Sequence, residues 1–321
     1  MSAEMTVVSR GKCFQIDLSP ISASNSPDIR SKYVEFIEAA DDEDCERSDN
    51  AIQDLHDWAI QPFLSIFERI EPMMTSSSIS FHDYLYPEIH RYVLYAENNI
   101  LVPYLDYRVS RGRMPDGVDL DESISAQWPL FTPQQINIGF TGSPDLAMAN
   151  VPRKVVVFGN TLSLKPVERG DKKMVLREIE SYRRIKQLPL EARNKIQTPH
   201  LYGLVQDENT HWIRGLLLTW IDCQNRNLEC AASPRTGIPI SLRQKWMNQV
   251  ESTLNGLHTA DIVWGDSKAA NVLIDVNQDA WIIDFGGGYT RGWVDKEKAD
   301  TMEGDNQGLS KIREYLRVDN S

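Results

Sequence analysis

The spacing of hydrophobic positions changes part-way along the chain, and this change divides the sequence into two parts. Up to about residue 129, apolar residues recur at helical spacing, for example Ile52, Leu55 and Ala59. From about residue 130 they alternate or run together as in strands, beginning with the segment QINIGF. Because a period near 3.6 indicates a helix and a period of 2 a strand, we expect a mostly helical extension over 1–129 and a second domain over 130–321.

The second part predicts an α+β fold, because its strands and helices do not alternate one by one. The segment KVVVFGNTLSLK predicts two strands joined at Gly159-Asn160, a two-residue hairpin signal. A helix over about 172–188 and two or three further strands follow. Ser241 then opens another helix, with Gln244 completing a capping box. The short runs NVLID and AWIID predict a final hairpin.

Composition and charge narrow the classes of partner. The chain is 41% hydrophobic and 25% charged, as in ordinary globular proteins, and its formal net charge is -12. A polyanion would be repelled at long range, so we expect no nucleic-acid partner. No apolar run of about 18 residues and no signal-peptide pattern occur. We therefore expect no membrane partner and a cytoplasmic, reducing location.

The segment IVWGDSKAANVLIDVNQDAWIIDFGGGYT concentrates the residues with chemical potential. Phosphoryl transfer requires charge neutralisation and alignment more than covalent help, and Mg²⁺ prefers carboxylate and amide oxygens. Asp266 would be the base that accepts the proton of the attacking hydroxyl, and Lys268 would contact the phosphoryl group. Asn271 and Asp284 would bind Mg²⁺, because the predicted hairpin between them brings the two together.

The pattern D-x-K-x-x-N, followed thirteen residues later by D-F-G, resembles the catalytic and metal loops of the protein kinase-like superfamily. The variants WGD and DFGGGYT-x-GWV resemble, more narrowly, kinase-like proteins of filamentous fungi. The resemblance implies a bilobal kinase-like fold with a small lobe at about 130–221 and a large lobe at about 222–321. It also implies ATP and Mg²⁺ as cofactors.

Further site residues follow from the resemblance. Lys165, at the end of the strand TLSLK, falls where the family has its phosphate-binding lysine. Its glutamate partner on the next helix would be Glu178 rather than Glu180, because only Glu178 lies near the apolar side of that helix. Asp305 would begin the helix that supports the catalytic loop. Adenine would meet the backbone of the strand end formed by Thr219, Trp220, Ile221 and Asp222.

The sequence also departs from the family pattern. Trp264-Gly265 replaces the His-Arg that precedes the catalytic aspartate, so we expect no switching by activation-loop phosphorylation. No G-x-G-x-x-G stands before Lys165, and the candidate phosphate turn is FTGSPDLAMANVP. No A-P-E follows DFG, and the chain ends soon after Asp305, which implies a truncated large lobe.

Three functional hypotheses remain open. The first is an ATP- and Mg²⁺-dependent phosphotransferase. Its nearest label is protein serine/threonine kinase, and its hydroxyl acceptor is an unidentified protein or a small molecule, as in the aminoglycoside phosphotransferase branch. The second is a pseudokinase that senses nucleotide or acts as a scaffold. The third is an α+β domain with a chance motif. Mg²⁺-dependent transfer to any acceptor distinguishes the first from the other two.

Overall fold

The computed structural model describes residues 3–18, 25–41, 45–71, 78–107, 117–232 and 237–318. Its helices are α1 (Pro27–Ala40), α2 (Cys45–Ile60), α3 (Leu64–Glu68), α4 (Phe81–Leu85), α5 (Glu122–Ser125), α6 (Pro144–Ala149), α7 (Lys172–Gln187), α8 (Leu190–Arg193), α9 (Leu228–Ala231), α10 (Ile240–Thr259) and α11 (Met302–Leu316). Its strands are β1 (Ala3–Ser9), β2 (Lys12–Leu18), β3 (Ile89–Glu97), β4 (Ile100–Leu105), β5 (Leu130–Phe131), β6 (Asn137–Ile138), β7 (Lys154–Val157), β8 (Asn160–Pro166), β9 (Leu201–Gln206), β10 (Ile213–Thr219), β11 (Val272–Ile274) and β12 (Ala280–Ile282). This mixture of elements confirms the predicted α+β class.

The chain divides into two compact units. The first comprises Met1–Pro115 and Ile136–Pro152, and the second comprises Asp116–Gln135 and Arg153–Ser321. The sequence analysis places one domain boundary near residue 130. In the structure the chain passes from the first unit to the second, returns to the first, and then enters the second again. The peptide N–H of Ile138 donates to the carbonyl of Ile79 at 2.7 Å, and this pairing holds the later segment in the first unit.

The first unit contains a sheet as well as helices. The sheet is four-stranded in the order β1-β2-β3-β4, with β2 and β3 parallel and the other pairs antiparallel. The sequence analysis predicts mostly helix here and misses these strands, because aromatic residues on both faces of β3 obscure its alternation. One apolar core includes residues from strands and helices alike: Phe14, Ile16, Leu18, Tyr33, Leu55, Ala59, Phe63 and Leu94.

The second unit is built on a sheet with the strand order β5-β9-β10-β8-β7. β10 is buried along almost its whole length, and it pairs antiparallel with β8, the strand that carries Lys165. The hairpin between β7 and β8 turns at Phe158 and Gly159, one residue earlier than predicted. Both turn residues have positive φ angles, 46° and 82°, as a two-residue hairpin of this kind requires.

Helix α10 and the hairpin β11–β12 form the support beneath the candidate site. α10 begins after Pro239, which makes no side-chain cap bond, so the predicted capping box from Ser241 to Gln244 is wrong. The helix starts at Ile240, two residues too early for the Ser241 hydroxyl to cap it. The indole Nε1 of Trp246 donates to the carbonyl of Gln278 at 3.1 Å, which fastens the tip of the hairpin to α10.

In the ranges that the structure covers, no helix combines the length and the apolar character needed to cross a membrane.

Candidate functional site

A cluster of three ionisable side chains joins β8, α7 and the loop after β12. The Nζ of Lys165 lies 2.6 Å from Oε2 of Glu178 and 2.8 Å from Oδ1 of Asp284. The side chain of Glu178 is 2% exposed, whereas those of Lys165 and Asp284 are 37% and 34% exposed. The helical period therefore selected the glutamate that contacts the lysine. Solvent therefore reaches the cluster at Lys165 and Asp284 but not at Glu178.

Burial and charge act in opposite directions on this cluster. Burial raises the pKa of Glu178, and the Lys165 ammonium opposes this by favouring the ionised carboxylate. Burial lowers the pKa of Lys165, but the carboxylates of Glu178 and Asp284 outweigh it and the net shift is upward. The net pKa shift of Glu178 is also upward, with burial its largest cause. Lys165 therefore stays protonated, and the cluster sets two acidic side chains, Glu178 and Asp284, against one basic side chain. A hard cation is the natural complement of such a site.

The backbone at Asp284 turns in a conformation that few residues adopt. Its φ angle is +67°, in the left-handed region where aspartate and asparagine are favoured among residues with a Cβ. The next residue, Phe285, is fully buried and packs edge-on against Tyr182 of α7, with ring centroids 5.4 Å apart. The peptide N–H of Gly286 donates to Oδ1 of Asp284 at 3.3 Å. The buried phenylalanine and this bond together orient the Asp284 carboxylate towards Lys165.

A second cluster surrounds Asp266. The Lys268 Nζ lies 2.6 Å from its Oδ2, and the Asn271 amide Nδ2 donates to the same oxygen at 3.0 Å and to the Asp266 carbonyl at 2.9 Å. The Thr290 hydroxyl donates to Oδ1 of Asp266 at 3.0 Å and accepts from Lys268 at 2.9 Å. Thr290 was not predicted as a site residue, although its place within DFGGGYT put it close to the motif.

The two clusters are linked through the hairpin. The peptide N–H of Ile283 donates to the carbonyl of Asn271 at 3.0 Å, so the residue next to Asp284 lies against Asn271. Both bonds of the Asn271 side chain use its Nδ2, and no described residue donates to its Oδ1. An amide oxygen and the Asp284 carboxylate could thus ligate one Mg²⁺, with phosphate oxygens and water completing its shell.

Asp305 at the start of α11 holds the loop before Asp266. Its carboxylate accepts from the peptide N–H of Trp264 at 2.8 Å and of Gly265 at 2.7 Å, and His258 Nε2 lies 2.9 Å away. Asp305 is 1% exposed. The sequence analysis expects it to begin the helix that supports the catalytic loop; in the structure α11 begins at Met302, and Asp305 lies in its first turn, bonded to the loop before Asp266.

The four predicted adenine contacts share one cavity. Together they line a cavity of about 340 Å³ whose lining residues do not include Lys165, Asp266 or Asp284. Within the portion of the chain that the structure covers, the peptide N–H groups of Ile221 and Asp222 have no backbone partner. These groups could therefore bind a ligand. The cavity is lined by Thr198, His200, Thr219, Trp220, Ile221, Asp222, Asp275, Val276, Asn277 and Trp281.

The predicted phosphate turn FTGSPDLAMANVP is not a turn. It contains helix α6 and belongs to the first compact unit, whereas Lys165 belongs to the second. Ser143 caps the helix by accepting from the peptide N–H of Leu146, with Pro144 at its first position. That start signal is stronger than the two glycines on which the turn was predicted.

No family model matches the sequence, and no curated protein matches it either. A metal site made only of histidine, cysteine, aspartate and glutamate is also absent from the described part of the chain. The functional conclusion therefore rests on the chemistry of the two clusters.

Proposed function

We propose that this chain is an ATP- and Mg²⁺-dependent phosphotransferase of the protein kinase-like superfamily, acting in the cytoplasm. The observation that carries the proposal is the position of Lys165 between the buried Glu178 and the partly exposed Asp284. A lysine held by a buried carboxylate on a helix presents a fixed positive charge to phosphates. A second carboxylate on its open side presents a ligand to Mg²⁺.

A kinase-like bilobal arrangement of the second compact unit is part of the proposal. The strands β5 and β7–β10 with α7 would form the small lobe, and α10, β11–β12 and α11 the large lobe. The contacts of Asp305 support this arrangement, because a buried carboxylate holds two consecutive peptide N–H groups just before Asp266. The fungal kinase-like proteins named above remain the narrower resemblance.

The residues would divide the work by charge and position. Lys165 would bind nucleotide phosphates, while Asp284 and Asn271 would ligate Mg²⁺, which neutralises phosphate charge when bound. Asp266 would accept the proton of the attacking hydroxyl late in the transfer. Lys268, 2.6 Å from Asp266, would stabilise negative charge on the phosphoryl group.

The acceptor is a hydroxyl group of a protein or a small molecule, and protein serine/threonine kinase is the nearest label. Thr290 supports a hydroxyl acceptor, because its own hydroxyl already lies between Asp266 and Lys268 in the manner that a substrate hydroxyl would. The aminoglycoside phosphotransferase type is the small-molecule alternative. A substrate hydroxyl would displace Thr290 or bind beside it.

A pseudokinase is the second candidate, and one specific observation favours it. Both carboxylate oxygens of Asp266 are already engaged, Oδ2 by Lys268 and Asn271 and Oδ1 by Thr290. If these donors are not displaced, they compete with an acceptor hydroxyl for the lone pairs of the Asp266 carboxylate and hinder proton transfer to it. Nucleotide binding without transfer would then be the function.

The experiment is a thermal-shift titration with ATP, with and without Mg²⁺. A ligand that binds only the folded protein stabilises it by about 2.7 kcal/mol at a hundred times its dissociation constant. Wild type should show a Mg²⁺-dependent shift that Asp284→Asn abolishes. Asparagine is chosen because, like aspartate, it tolerates the left-handed backbone at this position. Asp261→Asn is the matched control, since Asp261 also has a positive φ angle, 55°, and lies outside both clusters.

The outcomes separate the candidates. A shift lost only in Asp284→Asn, followed by transfer to an acceptor that Asp266→Asn eliminates, supports the phosphotransferase. A Mg²⁺-dependent shift without transfer to any acceptor in a broad screen supports the pseudokinase. No shift at millimolar ATP would overturn the proposal.

A further inference from the structure

Arg177, the residue before Glu178, contacts a residue that is distant in the sequence. Arg177 lies on α7, and its guanidinium Nη1 forms an ion pair with Oδ1 of Asp300, which lies beyond the loop that follows Asp284. The two side chains are 23% and 42% exposed, so the guanidinium is the more buried partner. The same Asp300 oxygen accepts from the peptide N–H of Gly288 at 3.3 Å. The guanidinium therefore reaches from α7 to the segment that carries the candidate metal ligand.

Two glycines make room for this guanidinium. Gly265 immediately precedes Asp266, and Gly287 is the third residue after Asp284. A Cβ atom added at either glycine would overlap the guanidinium of Arg177. The backbone before the candidate base and the backbone after the candidate metal ligand therefore both pack against one arginine.

We propose that Arg177 is a positioning residue that assembles the site: its guanidinium holds α7, the loop before Asp266 and the segment after Asp284 in one arrangement. The inference rests on the proposed function and extends it to regulation. Both charges of the Arg177–Asp300 pair belong to ordinary side chains, so the arrangement forms on folding and requires no phosphate group. The positive charge that contacts this segment is therefore the Arg177 guanidinium of α7. The residue directly before the candidate base is Gly265, which carries no side chain.

The position of Arg177 indicates which part of nucleotide binding should change when its guanidinium is removed. Its neighbour Glu178 holds Lys165, and its partner Asp300 is bonded to the segment that follows Asp284. Loss of the guanidinium should free that segment and displace the Asp284 carboxylate from its place beside Lys165. The contribution of Mg²⁺ to nucleotide binding should fall, while binding of metal-free ATP should change little.

The first test measures the Kd of ATP with and without Mg²⁺ by titration calorimetry. Arg177→Gln should weaken Mg-ATP binding on the order of tenfold, within the usual range of coupling between positions. Arg183→Gln is the matched control on the same helix, because Arg183 pairs, among the described residues, only with residues of α7. Arg177→Asp and Asp300→Arg should each weaken Mg-ATP binding similarly. The double variant should recover most of the loss, which a general effect on stability would not do.

The second test uses the glycines and does not alter the arginine. Gly265→Ala introduces a Cβ against the guanidinium, at a φ angle of +92°. Gly292→Ala imposes the same backbone strain at +89° with no atom within 4 Å of the new Cβ. Gly287 at +80° has a matching control in Gly159 at +82°, where nothing lies within 4 Å. We expect the first member of each pair to weaken Mg-ATP binding more than its control.

The results distinguish this inference from the proposed function. If wild type shows no Mg²⁺-dependent ATP binding, the proposed function fails and the inference fails with it. If wild type binds Mg-ATP but Arg177→Gln binds it equally tightly, only the inference is overturned. Equal effects within both glycine pairs, or no recovery in the charge-exchanged double variant, would also overturn it. Phosphatase-treated wild type should bind Mg-ATP unchanged, and weakened binding would count against it.

Discussion

Two ionic clusters of the second compact unit both combine basic and acidic side chains, but they differ in their exposure to solvent. In the turn between β9 and β10, Asp207 pairs with Arg214 at 3.2 Å, and their side chains are 3% and 1% exposed. The other oxygen of Asp207 accepts from the peptide N–H groups of Asn209 and Thr210 at 3.1 and 2.9 Å. In the second cluster, Lys165 and its partner Asp284 are each about one-third exposed.

Because of this difference, the Asp207 cluster can stabilise the fold, whereas the Lys165 cluster is accessible to a ligand. The Asp207 carboxylate is engaged on both oxygens and sealed from water, so it has no capacity for another partner. The Lys165 cluster has one sealed carboxylate and one that faces solvent, with more acidic than basic groups. Stability and ligand binding should therefore respond differently to substitution in the two clusters.

The largest effect should come from Asp207→Ala. The substitution removes the Asp207 carboxylate from the buried Arg214 guanidinium, and breaking a buried ion pair typically costs about 3–5 kcal/mol. Urea unfolding should show this loss, while Mg-ATP still stabilises the folded variant as it does wild type. Asp279→Ala is the control, since Asp279 pairs with Lys245 at the surface and should cost no more than about 1 kcal/mol. Similar losses in the two variants would contradict the distinction.

Lys165→Met should have its main effect on binding. It removes the charge that is proposed to contact the nucleotide phosphates, so the stabilisation of about 2.7 kcal/mol expected at a hundredfold excess of ATP over its dissociation constant should disappear. Thermal shift with and without Mg-ATP measures this directly. Lys311→Met is a suitable control, because Lys311 is an exposed lysine of α11 that pairs with Glu314 of the same helix. A retained shift in Lys165→Met would show that this cluster is not the nucleotide site.

Thr290→Val should separate transfer from binding at the open side of the site. Valine has nearly the same shape as threonine but cannot donate to Asp266 or accept from Lys268. Loss of the two hydrogen bonds to the charged Asp266 and Lys268 side chains should lower the rate of ATP hydrolysis, with water as acceptor, by at least about tenfold. The Kd of Mg-ATP should stay unchanged, and Thr290→Ser should keep both properties. Weakened Mg-ATP binding in Thr290→Val would assign Thr290 to the nucleotide site instead.

Glu180→Gln should have the smallest effect and a characteristic pH dependence. Hydrogen bonds from Arg183 and Arg184 lower the pKa of Glu180 from 4.5 to about 2. A lowered pKa contributes stability that is present above 4.5 and is lost as the pH falls towards about 2. Because the carboxylate is 42% exposed and screened, the contribution at neutral pH should be about 0.5 kcal/mol. Urea unfolding at neutral and acidic pH should show the variant and wild type converging as the pH falls.

The parts of the site that depend on local periodicity could be predicted from the sequence. Glu178 was distinguished from Glu180 because neighbouring apolar residues define one side of α7. Asn271 and Asp284 were placed together because the two short apolar runs between them form a hairpin. In each case the predicted feature, the side of a helix that a residue faces or the two ends of a hairpin that meet, is fixed by the backbone geometry of one element.

Contacts between distant segments could not be predicted in this way. Nothing in the residues around Arg177 points to Asp300, because their meeting depends on the path of the whole loop after Asp284. The same reason hides the parallel pairing of β2 with β3, whose partners are separated by two long helices. Helix α6 was misread because two nearby glycines, Gly139 and Gly142, were given more weight than the Ser143-Pro144 start signal.

The two anchors of α7 occupy neighbouring positions on the helix, and neighbouring residues point about 100° apart around its axis. Glu178 holds a strand through Lys165, while Arg177 holds a loop through Asp300. These two ion pairs add to the buried face of α7 in fixing the rotation of the helix about its axis. If the strand and the loop separate, α7 must stay with β8 and break the Arg177–Asp300 pair, or stay with the loop and break the Lys165–Glu178 pair.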